Sequence, residues 1–157
     1  MLKPYLSFLL FLILSSVNAQ KDIQDSKDYP LLDRLPDYFI ASYTENEFDS
    51  EKFYYDNQNH QIEGRKFVIE YRHTKSRDKS YEFPTRLNIL RNYANAIEKA
   101  GGRILFERYN AEKGYYSFRT GDGRDVWVYI KTALSGNAYT LTVIEQETMR
   151  QDIVIDA

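Results

Sequence analysis

The chain contains no cysteine, one tryptophan and two histidines in 157 residues. Without cysteine there are no disulfides and no thiolate metal site, and no side chain can carry a lipid at an export cleavage site. The two histidines, His60 and His73, stand in no paired ligand spacing such as His-Glu-x-x-His. His60 falls in a polar stretch and His73 at a strand end beside a charged loop, so both are expected to be solvated. No serine lies in a Gly-x-Ser-x-Gly elbow. A surplus of positive charge is also missing. Lys and Arg number 21 against 23 Asp and Glu, a formal net charge of −2. That balance does not favour a phosphate backbone, so no nucleic-acid partner is expected.

Long apolar runs are scarce. The longest, Leu6 to Leu14, is less than half the roughly twenty residues a membrane-spanning helix needs. It follows Lys3 and precedes Ser15-Ser16-Val17-Asn18-Ala19. This is the pattern of a secretory signal peptide over residues 1–19, with cleavage expected before Gln20. The mature chain is then periplasmic or secreted, is not a lipoprotein, and has no transmembrane segment. What remains suits one domain with a single core. Its aromatic content is high: 14 Tyr, 9 Phe and 1 Trp, or 15% of the chain. Aromatic rings fit pleated, half-buried surfaces, which points to an antiparallel sheet.

Residues 20–37 form a polar lead-in broken by Pro30 and Pro36, which Leu31, Leu32 and Leu35 can pin to the domain. Tyr38 to Thr44 predicts a first strand. Residues 45–64 predict a loop-rich stretch, with a hairpin tip at Asp56-Asn57-Gln58-Asn59-His60. Lys66 to His73 predicts a second strand, with Phe67, Ile69 and Tyr71 on one side. The spacing of Leu87, Leu90, Ala94 and Ile97, flanked by Ile89, Tyr93 and Ala100, predicts a helix over about 85–100. Pro84 suits its first turn, and Gly101-Gly102 its stop. Four strands follow, at 103–109, 115–120, 125–133 and 139–146. Their turns are expected at Glu112-Lys113-Gly114, Gly121-Asp122-Gly123 and Ser135-Gly136-Asn137. The fold class is α+β: a two-layer sandwich, mostly an antiparallel meander sheet, with one main helix packed on one face. The single domain spans 38–147, and 148–157 forms a tail.

Alternation sorts the strand residues into two faces. Ile104, Phe106, Tyr116, Phe118, Val126, Val128, Ile130, Leu141 and Val143 should lie under the helix. The opposite face carries Leu105, Glu107, Tyr109, Tyr115, Ser117, Arg119, Trp127, Tyr129, Lys131, Thr140 and Thr142. Three arrangements are open for this second face. It is a solvated surface, or residues 29–60 fold over it, or it recognises a partner or glycan. Aromatics and arginine favour interface centres. The candidate binding residues are therefore Trp127, Tyr129, Lys131, Arg119, Tyr115 and Tyr109.

Catalytic chemistry has little to stand on. Asp56, Asn57, Asn59 and Glu63 resemble a fragment of a calcium loop, but the EF-hand spacing is missing and a polar hairpin tip accounts for them. Glu107, Glu145 and Glu147 are candidates for a paired-carboxylate glycosidase, with solvated positions as the alternative. No catalytic residue, cofactor or metal is assigned.

Four segments carry a resemblance. They are Asp25-Ser26-Lys27-Asp28-Tyr29-Pro30 with Asp33-Arg34-Leu35-Pro36; Glu63-Gly64-Arg65-Lys66; Arg91-Asn92-Tyr93 leading to Ala100-Gly101-Gly102; and Glu145 with Met149-Arg150-Gln151-Asp152. In order and spacing the chain resembles the N-terminal module of some bacterial OmpA-family envelope proteins. In that family the module follows a signal peptide and precedes a peptidoglycan-binding domain. The chain stops at Ala157, so that domain and its function are not expected here. The resemblance implies a non-enzymatic, exported accessory module of a Gram-negative envelope. It would bind an envelope protein or glycan through the aromatic face or the tail. The alternatives are a glycan-acting enzyme and a structural remnant of a larger OmpA-type protein.

Overall fold

The computed structural model describes residues 20–108, 110–133 and 135–146. The expected leader, Tyr109, Glu147 and the tail 148–157 lie outside the described residues. The elements are β1 Tyr38–Tyr55, β2 Gln58–His73, α1 Arg86–Lys99, β3 Arg103–Glu107, β4 Lys113–Arg119, β5 Asp125–Thr132 and β6 Ala138–Gln146. The six strands form one antiparallel sheet in the order β1-β2-β6-β5-β4-β3, which with its one helix is α+β. No helix among the described residues is long and apolar enough to cross a membrane.

Strands β3 to β6 form the expected meander. The β1–β2 hairpin joins beside β6, and α1 carries the chain from β2 to the opposite edge at β3. The hairpin is far longer than its sequence suggested. Residues 45–64 are mostly strand, and the turn is only Asp56-Asn57, with Tyr55 opposite Gln58. Both turn residues have positive φ, 51° and 61°. That is the backbone of a type I′ turn, which Asp and Asn tolerate better than other side-chain-bearing residues and which matches strand twist. The expected turn at Glu112-Lys113-Gly114 is also displaced. Lys113 and Gly114 begin β4, and the turn lies before them, where the Ala111 amide donates to the Arg108 carbonyl at 2.8 Å.

Thr85 caps α1, its hydroxyl accepting from the Asn88 amide at 3.1 Å. Pro84 thus sits before the cap rather than in the first turn. At the other end Gly101, at φ 79°, donates to Glu98, and Gly102 donates to Ile97, both at 2.9 Å. These paired bonds are the Schellman motif. Ile89, Leu90, Tyr93, Ala94 and Ile97 are buried, but Leu87 points outward, 52% exposed.

The helix residues share one core with Tyr116, Phe118, Val126, Val128, Ile130, Leu141 and Val143, as the alternation predicted, and with Phe67, Ile69 and Tyr71. The lead-in contributes Tyr29, Leu32 and Leu35 to the same core. Ile104, 37% exposed, and Phe106 do not join it. A register shift between Ile104 and Phe106 marks a bulge at Leu105. The extra residue reverses the alternation, so Phe106 packs on the opposite face. The same reversal brings Glu107 to the helix side, where it meets Tyr116 and Arg91.

His73 is buried rather than solvated as expected. It is 2% exposed, edge-on to Tyr38 at 4.9 Å and close to Tyr81 and Phe83. Its Nδ1 accepts from the Lys75 amide at 3.0 Å. Burial holds its pKa below the ordinary value. It follows Phe67, Ile69 and Tyr71 at the same spacing of two, and so shares their buried side.

Candidate functional site

The second face of the sheet is largely covered, and the distal half of the β1–β2 hairpin supplies the cover. Pairing of β2 with β6 starts at Arg65 opposite Glu145, so the hairpin beyond that point outruns the sheet. It bends where β1 carries a bulge between Asn46 and Asp49 and β2 carries Gly64. A Cβ on Gly64 would overlap the Glu145 carbonyl. Glycine there lets two backbones approach closely. Beyond the bend Phe53 and Ile62 are buried against Tyr115 and Ile144. Phe53 meets Tyr115 edge-on at 5.9 Å and Trp127 at 5.8 Å. Tyr55 stacks on Trp127 at 5.6 Å and on His60 at 3.7 Å. His60 is therefore part of an aromatic stack and half-buried, not freely solvated. The other part of the suspected cover, residues 29–37, lies on the helix side instead.

This arrangement divides the six candidate residues. Trp127 is half-buried, its Nε1 donating to Gln146 Oε1 at 3.0 Å. Tyr115 is buried and stacks on half-buried Tyr129, centroids 4.7 Å apart. Burial raises the pKa of both phenols, Tyr129 to about 12 with Tyr115 beside it adding to the shift. Arg119 is exposed at the opposite end of β4 and forks onto Asp125 at 2.8 and 2.9 Å. Lys131 is exposed on the same face as Tyr129. Tyr109 lies outside the described residues. Trp127, Tyr129 and Tyr115 are thus the floor beneath the hairpin, not an open platform.

Beside that floor a groove remains open. It has a volume of about 340 Å³ and is lined by Tyr54 and Asn59 of the hairpin, and by Phe106, Arg108, Lys113 and Tyr115. Tyr54 stands edge-on to Phe106, centroids 4.8 Å apart. Five of these six residues were not among the sequence candidates. Phe106 was hidden by the bulge, Tyr54 and Asn59 by the apparent loop, and Arg108 and Lys113 by the misplaced turn. The groove combines apolar ring walls, one amide able to donate and accept, and two cations.

The carboxylate candidates are not brought together. Glu145 faces the helix side, 5% exposed, where its Oε1 accepts from the Tyr29 hydroxyl at 2.8 Å. Its Oε2 faces Arg124 Nη1 at 2.9 Å, as an ion pair without hydrogen-bond alignment. Glu107, three strands away on β3, accepts from Tyr116 at 2.9 Å and pairs with Arg91 at 2.8 Å. Glu147 lies outside the described residues. Among the described residues no group of three or more His, Asp or Glu is placed to hold a metal.

The resemblance segments meet on the helix side as far as they lie within the described residues, which leave out 149–152. Arg34 bonds Asp28 at 2.8 to 3.0 Å and Asp22 at 2.6 and 2.8 Å. The Tyr71 hydroxyl adds a second partner for Asp28 at 2.8 Å. Tyr29 reaches Glu145, whose carbonyl packs on Gly64. Tyr93 and Tyr139 share a hydroxyl bond of 2.9 Å. These side chains bind the lead-in and helix to the sheet, and their partners lie within the protein. The chain matches no known family model and no curated protein.

Proposed function

We propose that this protein is an exported, non-enzymatic accessory module of the bacterial envelope that holds an envelope component in the groove between the hairpin and β3–β4. The observation that supports this most is the groove itself, where Tyr54, Phe106 and Tyr115 offer ring surface and Asn59, Arg108 and Lys113 offer polar contacts. Pockets of this size and make-up suit small ligands or a single protruding group of a larger one. The leader pattern at residues 1–19 supports export, and the four sequence segments, of which Asp28, Tyr29, Arg34, Gly64, Tyr93 and Glu145 take part in the helix-side contacts, support kinship with the OmpA-associated module. In this reading helix and lead-in form one layer and the sheet the second, with the bent hairpin adding local cover on the far side. The separation of Glu107 from Glu145 weighs against a paired-carboxylate glycosidase.

The test is capture from a Gram-negative envelope extract by the mature chain. Tyr54→Ala and Lys113→Gln should each reduce recovery of the captured component at least threefold, while Arg119→Gln leaves it unchanged. N-terminal sequencing of exported protein should begin at Gln20. Equal recovery with all three variants would remove the groove, and a chain retained in the cytoplasm would remove export.

A further inference from the structure

We propose that the groove's ligand is an acidic saccharide, its carboxylate met by Lys113, Lys131 and Arg108 and its sugar ring laid against Tyr54 and Phe106. This rests on the reading of the groove as a ligand site.

The unusual feature is a pair of lysines. Lys113 and Lys131 are direct cross-strand partners in the β4–β5 register. Each is two residues from a member of the Tyr115–Tyr129 stack, so both share the face of those rings. Like charges directly opposite in a sheet are destabilising. Neither lysine has an ion-pair partner among the described residues. Arg108 lines the groove with Lys113, 55% exposed and only loosely answered by Glu112 at 3.6 Å. The nearby acids are otherwise engaged. Glu51 is held by Lys66 at 3.1 Å, and Glu70, two strands from Lys131 in the same row, by Arg72 at 2.8 Å. Two cations thus line the groove, with Lys131 beside Lys113 on the same sheet face, and the nearest carboxylates are Glu112 and the Lys66-paired Glu51. An anion between the lysines would relieve their repulsion, and charge-assisted bonds from Lys and Arg are the natural way to hold it.

The walls specify the rest of the ligand. Ring surface at Tyr54, Phe106 and Tyr115 needs an apolar partner, while Asn59 offers donor and acceptor to hydroxyls. A pyranose has both, with C–H groups on its faces and hydroxyls on its rim. A volume of about 340 Å³ has room for one or two such rings. A sugar phosphate shares the anionic chemistry and is separated by the experiment.

The mature chain is titrated, with calorimetry and amide chemical shifts, against a hexuronate disaccharide, a hexose phosphate, a neutral disaccharide and acetate. The uronate is expected to bind at least tenfold more tightly than the neutral sugar and to shift amides at Tyr54, Asn59, Phe106 and Lys113. Its affinity should fall with salt, as screened charges require. Lys113→Gln and Lys131→Gln should each weaken uronate binding about tenfold, the scale of one lost charge-assisted contact, and neutral-sugar binding by much less. Tyr54→Ala should weaken both sugars. In the absence of ligand Lys131→Gln should melt no lower than the parent, because it relieves repulsion. Equal binding of uronate and neutral sugar overturns the acidic specificity and leaves the groove reading standing. Tighter binding of the phosphate, or acetate equal to the uronate, overturns the acidic saccharide. Silence of all four ligands overturns the proposal too, and envelope capture by the Tyr54 variant then decides the groove on its own.

Discussion

At the scale of single residues, two positions show how local geometry is set by partners distant in sequence. Gly64 meets the Glu145 carbonyl so closely that any Cβ overlaps the backbone of β6 at Glu145 and Gln146. Gly64→Ala is therefore expected to cost about 2–3 kcal/mol, the range of overpacking without room to relax. Urea denaturation would read it, and an unchanged midpoint would contradict the close approach. His73 gives a pH signature. Burial lowers its pKa from the ordinary 6.5, so the unfolded chain takes up a proton before the folded one. Its contribution is complete above about pH 6.5 and is lost as pH falls toward the folded value. Melting temperature should drop between pH 7 and pH 5, and His73→Gln should flatten that slope. The burial of His73 was legible in the sequence, since it continues the Phe67, Ile69, Tyr71 alternation. So was that of Glu145, which follows Leu141 and Val143. Their polarity argued for solvent, but the period of two decided their side.

At the scale of elements, the helix was readable because it repeats at one period, and the last four strands because the residues under the helix alternate in β4, β5 and β6 and glycine-bearing turns separate most of them. The hairpin was not. Phe53, Tyr54 and Tyr55 are consecutive, so their pattern shows neither alternation nor a face. Their burial comes from Tyr115, Trp127 and Phe106, more than fifty positions away. The bulge at Leu105 has no glycine to announce it, and it moved Phe106 into the groove. The hairpin's tip tests whether the cover is built from its own turn. Asn57 sits at φ 61°, which β-branched residues strongly disfavour. Asn57→Val should cost about 1–2 kcal/mol and raise fluorescence quenching of Trp127 by iodide. Asn57→Gly keeps the turn and should leave both measurements near the parent. Quenching unchanged in the valine variant would mean that the hairpin is held by its rings alone.

At the scale of the whole molecule, the lead-in belongs to the body of the fold although its composition reads as a polar preface. Leu32 and Leu35 pin it as the sequence suggested, while Leu31 stays half-exposed. The charged anchors were not legible, because Asp22, Asp28 and Arg34 acquire meaning only once the chain folds back on Ile40 and Tyr71. The Ile40 amide, on the open edge of β1, donates to Asp22 at 2.7 Å, and the Ile23 amide donates to the Ile40 carbonyl at 3.1 Å. The lead-in thus blocks part of a free strand edge, the usual site of unwanted pairing. It also seats Tyr29 against Phe67 at 5.2 Å and lets the Leu35 amide donate to the Tyr139 hydroxyl at 3.1 Å. A chain beginning at Tyr38 would uncover Phe67, Tyr71 and Tyr139, and would leave Glu145 without its Tyr29 donor. Such a chain should bind a hydrophobic dye, self-associate, and lose the sharp melting of a chain beginning at Gln20. The milder Leu32→Ala should lower stability by about 2–4 kcal/mol through the apolar contacts it deletes. Arg34→Ala should cost about 1 kcal/mol, because Asp22 and Asp28 are partly solvated and screened. If the shortened chain instead melts as sharply as its parent and stays monomeric, the lead-in is an appendage and the edge of β1 protects itself.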